Sequence, residues 1–294
     1  MVVGEHALEV EVLRLETRLT GVMGVRVDGI DVRTVSDAEL AELRALVCEH
    51  EVAHITGQSL TPQEQVEFSR RLGPAADSPF IEPIAEHPEV IKVLKLATDG
   101  KVLNFGGAWH SDFSFQPNPP SFTILHALDI PDFGGDTCFS SMTAAYEALS
   151  AQQKEDFLSL RGVHTARDAY SPRMQQYHSG LTAMNIVCDE TAYEVMLHPL
   201  VRVHPETGKS VLFYNRAYVR DIAGIDDEAA KRSLMEWLHL HTTDAKFGYR
   251  HRWTEGDLLI WDNRSTQHYA LNDYVGFRRE LHRTTIAGEI PIPA

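Results

Sequence analysis

At 294 residues and 43% hydrophobic content, the chain carries enough apolar material for a large core, as one large domain or two ordinary ones. Its 27 basic and 42 acidic residues leave a formal charge of −15. That balance argues against a nucleic-acid partner, which needs clustered Lys and Arg, and obliges any anion site to bring its own arginines. Cys48, Cys138 and Cys188 are far apart with no CxxC pair, so they read as reduced thiols. No run of 18 apolar residues predicts a membrane helix, and MVVGEHALEVEVLRLE lacks the basic and apolar regions of a secretory signal. A cytoplasmic location without membrane association is the expectation.

In chain order, residues 9–32 alternate in a strand-like way. Ser36 with Glu39 makes a capping box for a helix through about Glu51, with Leu40, Leu43 and Val47 on one face. VAHI reads as a buried strand. Thr61, Pro62 and Glu64 then open a helix that runs to about Leu72 and stops at Gly73-Pro74. The signals change to short β runs: VIKVLKL, SFTILHAL, HPLVRVH, SVLFYN, GDLLIWDN and ELHRTTIAG. Helical insertions are expected at about Ala144–Arg161 and Asp226–His241, while 165–197 is poorest in pattern and reads as a lid or binding loop. The pattern predicts one domain over 1–294, mainly β with peripheral helices (α+β): a helical front at 36–72 and a sandwich or jelly-roll core at about 90–290.

Trp109-His110-Ser111-Asp112 sets an imidazole and a carboxylate two residues apart, on one face if the segment is a strand. A third ligand is offered by His268, just past GDLLIWD. Two His and one carboxylate on one side of an octahedral ion leave three positions open, the arrangement that suits non-haem Fe(II) oxygenases. An HxD alone is a weak signal among 15 histidines. What strengthens it is FRRELHRTTI, where Arg279 and Arg283 share a strand face with Leu281 and make a trap for a carboxylate or sulfonate. Arg278 reads as a residue paired with local acids, and Thr137 in the GGDT turn offers a hydroxyl to the same carboxylate.

These pieces resemble the taurine dioxygenase and aryloxyalkanoate dioxygenase family of Fe(II)/2-oxoglutarate enzymes. SRRLGP, WHSDFSFQPNPPSFTIL, GGDTCFSSMTAAYEALS, HPLVRVHPETGKSVLFYN and GDLLIWDNRSTQHYALNDYVGFRRELHRTTIAG occur in the family's order. The resemblance implies a double-stranded β-helix, a dimer or tetramer, iron on His110, Asp112 and His268, 2-oxoglutarate on Thr137 and Arg279, and Arg283 against an acidic substrate group. It implies hydroxylation by O2 with release of succinate and CO2. Two departures bear on substrate. The family's sulfonate-binding histidine is replaced at Ser78, and an asparagine before the metal histidine by Gly106, which argues against taurine and for a bulkier sulfonate, sulfate ester or aryloxy acid. Phe80, Phe115, Tyr170 and Tyr218 are the expected walls. Two other readings are a zinc hydrolase, which leaves the arginines without a task, and a non-catalytic anion- or metal-binding jelly roll, which would form no succinate.

Overall fold

The computed structural model describes residues 16–99 and 105–294, so part of the first expected strand region lies outside the described residues. The remainder gives β1 (Glu16–Arg18) and β2 (Val25–Val27). Helix α1 (Asp37–His50) starts on the predicted Ser36/Glu39 capping box, buries Leu40, Leu43 and Val47, and ends at Glu51 in a left-handed conformation (φ 68°). After β3 (Val52–Ile55), α2 (Pro62–Leu72) opens on the Thr61/Glu64 box with proline at its start. Strands β4 (Ile91–Lys95), β5 (Phe122–Asp129) and β6 (Thr137–Ser141) follow.

The single helix expected at 144–161 is two, α3 (Met142–Glu147) and α4 (Ala151–Phe157). Ser150 and Gln153 form a third capping box that restarts the chain, and Arg161 already belongs to β7 (Arg161–His164). The pattern-poor region holds only short turns of helix, including α5 (Arg167–Tyr170) and α6 (Gln175–His178), before β8 (Met196–Pro199). Then come β9 (Val201–Val203), β10 (Ser210–Leu212), β11 (Val219–Ala223) and the Asp227-capped α7 (Glu228–Thr242). The chain closes with β12 (Gly248–His251), β13 (Leu258–Asp262), β14 (Thr266–Ala270), β15 (Arg279–Thr285) and β16 (Ile292–Pro293).

A seven-stranded sheet runs β1-β2-β3-β13-β5-β15-β4, and three-stranded sheets join β12-β6-β14, β11-β7-β8 and β10-β9-β16. Every contact among β3, β13, β5, β15 and β4 is antiparallel, whereas β2 lies parallel to β3. Alternation sorts the side chains of β13: Leu258 and Ile260 join Leu43, Val47 and Phe68 of the two front helices. Leu259 and Trp261 instead join Leu125, Leu281 and Phe139, the last from β6. The large sheet is therefore packed between α1 and α2 on one face and the β12-β6-β14 sheet on the other. On β15 the same alternation turns Arg279, Leu281 and Arg283 toward the small sheet, while Thr284 meets Ser69 of α2 at 2.6 Å. No helix among the described residues is long and apolar enough to cross a membrane.

Candidate active site

The space between these two sheets gathers His110, Asp112, His268, Thr137, Arg279 and Arg283. His110 and His268 form a two-residue antiparallel bridge, each backbone N–H donating to the other's carbonyl at 2.9 and 2.8 Å, with ring centres 4.2 Å apart. The expected strand through His110 and Asp112 is only that one bridge long. The chain turns at once, with Phe113 at φ 44°, so Asp112 is aimed by side-chain bonds instead of a pleat. Thr123 on β5 donates to Asp112 Oδ2 at 2.6 Å, and Asn263 donates to Thr123 at 2.8 Å. Asn263 Oδ1 accepts the Trp261 indole N–H at 3.0 Å and the Asp112 backbone N–H at 3.3 Å. Asp112 Oδ1 is left facing His110 Nε2 at 3.6 Å and Arg283 Nη1 at 3.4 Å.

The tautomer of His110 follows from its surroundings. Its Nδ1 lies 2.7 Å from the Ala108 carbonyl, which can only accept, so Nδ1 carries the proton and Nε2 keeps a lone pair toward Asp112. Ligand atoms of His110, Asp112 and His268 all fall within 4.8 Å of one another. Burial opposes ionisation of Asp112, but the Arg283 guanidinium and the neighbouring imidazoles hold its carboxyl well below the usual carboxylate range. Burial, with His110 beside it, pushes the His268 imidazole down to about 3. Two imidazoles and a carboxylate close to one point are a donor set for a divalent cation.

Arg279 and Arg283 are both buried, and the Nε and Nη2 of each have no hydrogen-bond partner among the described residues. Arg279 lies between the rings of Trp253 and Tyr274, its Cζ 5.7 and 5.9 Å from their centres. The nearby Asp136 is turned to Arg250 at 2.7 Å and does not reach it. Thr137 accepts the Trp253 indole N–H at 2.9 Å and lines the same recess as Arg279, His110 and His268. A buried guanidinium with free donors is costly unless an anion meets it. Arg278, by contrast, pairs with Asp129 and Glu280.

A larger cavity of about 210 Å³ opens beside the metal-type ligands and shares His110, Phe105, Gly106 and Arg283 with the recess. Tyr170 and Tyr218 line it as expected. Phe80 and Phe115 do not: Phe80, itself at φ 68°, stacks on Tyr170 at 4.9 Å, and Phe115 packs on Tyr218 at 4.9 Å, so both stand one layer behind the wall. Ser78 also stands away from the lining, 3.5 Å from the Thr285 hydroxyl at the far end of β15. Gly106 lies at φ 73°, where an added Cβ would sit in ordinary contact, 3.5 Å from the His110 ring, so it is backbone conformation that favours glycine there. Sequence reasoning missed Thr123 and Asn263, which lie in the SFTILHAL and GDLLIWDN runs without a signature of their own, as well as Asp168, Met174 and His178 of the pattern-poor 165–197 segment and Arg220 of β11.

The comparisons agree with this geometry. Residues 16–285 match the family model described as taurine catabolism dioxygenase TauD, TfdA family. The chain is 34% identical to an alkylsulfatase of Acinetobacter baylyi over 93% of its own length and 84% of that protein. It is also 34% identical to an alpha-ketoglutarate-dependent sulfate ester dioxygenase of Pseudomonas putida, over 98% and 92%. A taurine dioxygenase structure from Burkholderia xenovorans superposes with a TM-score of 0.79 at 31% identity, over 95% of this chain and 92% of that one. The chain thus belongs to the taurine catabolism dioxygenase TauD, TfdA family and is a 2-oxoglutarate-dependent dioxygenase.

Proposed function

We propose that this dioxygenase holds Fe(II) on His110, Asp112 and His268, binds the distal carboxylate of 2-oxoglutarate on Arg279 and Thr137, and hydroxylates a small organic anion, a sulfate ester, larger sulfonate or aryloxy acid, held on Arg283. The observation that carries the reading is Arg279: a buried guanidinium with two unpartnered donors, in one recess with Thr137 and both histidines. Iron bound there supplies the chemistry that couples O2 and oxidative decarboxylation of 2-oxoglutarate, to succinate and CO2, with hydroxylation of a C–H bond.

The chain's own residues bind, orient and exclude water. Arg279 and Thr137 fix one end of the co-substrate so that its oxo-acid end is directed toward the three ligands. Thr123 and Asn263 hold Asp112 in place. Arg283 presents its free Nε and Nη2 to the substrate's anionic group, and Tyr170, Met174, Ala217 and Tyr218 face its apolar body. We read 165–197 as a lid, since Tyr170, Met174 and His178 come from it and Asp168 ties it to Arg220 at 2.6 Å. We also read 1–294 as one domain with the two facing sheets as a double-stranded β-helix (jelly roll), working as a cytoplasmic dimer or tetramer. Three unpaired thiols support the compartment, and the family resemblance supports the assembly.

Succinate release tests the reading. With Fe(II), 2-oxoglutarate and O2, alkyl sulfates, sulfonates and aryloxy acids are screened, and at least one class is expected to raise turnover well above the substrate-free rate. Arg283→Ala is expected to raise the KM of that substrate 10-fold or more. Turnover that no anion stimulates, or that Arg283→Ala leaves unchanged, contradicts the assignment.

A further inference from the structure

Among the described residues, two further groups besides the one at His110 bring metal-ligating atoms within 4.8 Å of one another: Cys48, His204 and Asp262, and His54, His251 and Asp257. The first is closed to a cation. His204 Nδ1 accepts the backbone N–H groups of Glu206 and Thr207 at 3.2 and 3.1 Å, so its proton sits on Nε2 and is donated to Asp262 Oδ2 at 2.9 Å. Arg264 grips both oxygens of that same carboxylate, at 2.8 and 2.6 Å. Every lone pair a metal would need is taken.

The second group also bonds imidazole to carboxylate but differs in its carboxylate, which among the described residues no arginine grips, and in the partner of its buried ring, and we propose that His54, His251 and Asp257 form a second divalent-cation site, suited to zinc, that clamps the large sheet to the small one. His54 stands on β3 and Asp257 just before β13, both in the large sheet, whereas His251 ends β12 in the small one. Both imidazoles aim Nε2 at the one carboxylate, His54 at Oδ1 (2.7 Å) and His251 at Oδ2 (3.2 Å). A tetrahedral zinc with bonds of ~2.0–2.1 Å spaces its ligands by roughly 3.3 Å, and the three donors already lie within 4.8 Å of one another, so they would draw together by at most roughly 1.5 Å. Among the described residues, no Lys or Arg pairs with Asp257. His251 Nδ1 meets the Tyr249 hydroxyl at 2.8 Å, a group that can accept as well as donate. The ring can therefore place its proton on Nδ1 and keep Nε2 for a metal, with the phenol holding it in orientation. The Thr254 backbone N–H fixes Asp257 Oδ2 at 2.7 Å, and the His54 side chain, 13% exposed, gives a route from solvent. Two nitrogens and one oxygen select a borderline cation over calcium or magnesium, with solvent water completing the shell. The His251 ring lies 4.6 Å from that of Trp253, whose indole bonds Thr137, so the clamp would brace the wall of the oxo-acid recess.

Equilibrium dialysis of the full chain against zinc, followed by metal analysis, tests this. Wild type is expected to retain two equivalents, His54→Ala one, His110→Ala/Asp112→Ala one, and the triple variant none. Zinc should raise the melting temperature of His110→Ala/Asp112→Ala, and His54→Ala should remove that rise. Should His54→Ala not fold by circular dichroism, Tyr249→Phe decides, since it keeps all three donors and is expected to weaken zinc about 10-fold. No zinc on His110→Ala/Asp112→Ala, equal zinc on the triple variant, or an unchanged affinity in Tyr249→Phe overturns the proposal.

Discussion

Arg279 and Arg283 sit four residues apart on one strand, yet the structure gives them different neighbours and so different tasks. Arg283 lies 3.4 Å from Asp112, so part of its charge acts to favour the ionised form of that carboxyl. Among the described residues no carboxylate pairs with Arg279, which lies beside Trp253 and Tyr274, and burial lowers its pKa from the usual arginine value. Its buried charge is best matched by the carboxylate of a bound small molecule. Arg279→Met keeps the length and apolar packing while deleting the donors. It is expected to raise the KM for 2-oxoglutarate at least 10-fold with a smaller change in kcat, read from initial rates of succinate formation. An unchanged KM would remove Arg279 from the co-substrate site.

At the scale of elements, the Gly134-Gly135 turn ahead of β6 decides whether Arg279 can lie where it does. Gly135 has φ 70°, and a Cβ there would stand 2.9 Å from Arg279 Cδ. Gly135→Ala is therefore expected to cost ~1–3 kcal/mol in urea unfolding and to raise the 2-oxoglutarate KM as the arginine is displaced. A variant of wild-type stability and KM would contradict this packing. Where α1 ends, burial pushes the Glu51 carboxyl up to about 7, only partly offset by hydrogen bonds from Thr143 and Ser141. A carboxyl with a folded pKa above its unfolded value near 4.5 adds stability fully below about pH 4.5 and loses it as pH rises through 7. Glu51→Gln removes that loss, so it should gain on the order of 3 kcal/mol over wild type between pH 5 and 8, measured by denaturant midpoints. Parallel pH profiles would contradict it. Elements with local punctuation were legible in the sequence: the capping boxes at Ser36 and Thr61 and the apolar strand of Leu258 to Trp261 stand where read. Strands such as Thr137–Ser141 and Gly248–His251 were not, because they are short and mix polar with apolar residues. Ser150 was a readable start signal hidden inside an apparent helix.

For the whole molecule, a net charge of −15 makes the site an exception to its surroundings, a pair of buried arginines inside an acidic protein. The motifs singled out His110, Asp112, His268 and the two arginines, which the fold brings together, because a metal site and an anion site each call for particular residue types. The wall was announced only in part: Tyr170 and Tyr218 line the cavity, whereas Ser78, named from the family's sulfonate-binding position, and Phe80 and Phe115 stand off it, where left-handed Phe80 and the turn after His110 redirect the chain locally.

The most direct test of the account is anaerobic titration of 2-oxoglutarate into the Fe(II)-loaded protein, followed by the visible charge-transfer absorption of iron chelated by a 2-oxo acid. Wild type is expected to develop the band. His110→Ala and His268→Ala should lose it, and Arg279→Met should keep it with a midpoint moved to at least 10-fold higher 2-oxoglutarate. A band of undiminished amplitude in His110→Ala and His268→Ala would contradict the central claim that these side chains meet at one iron.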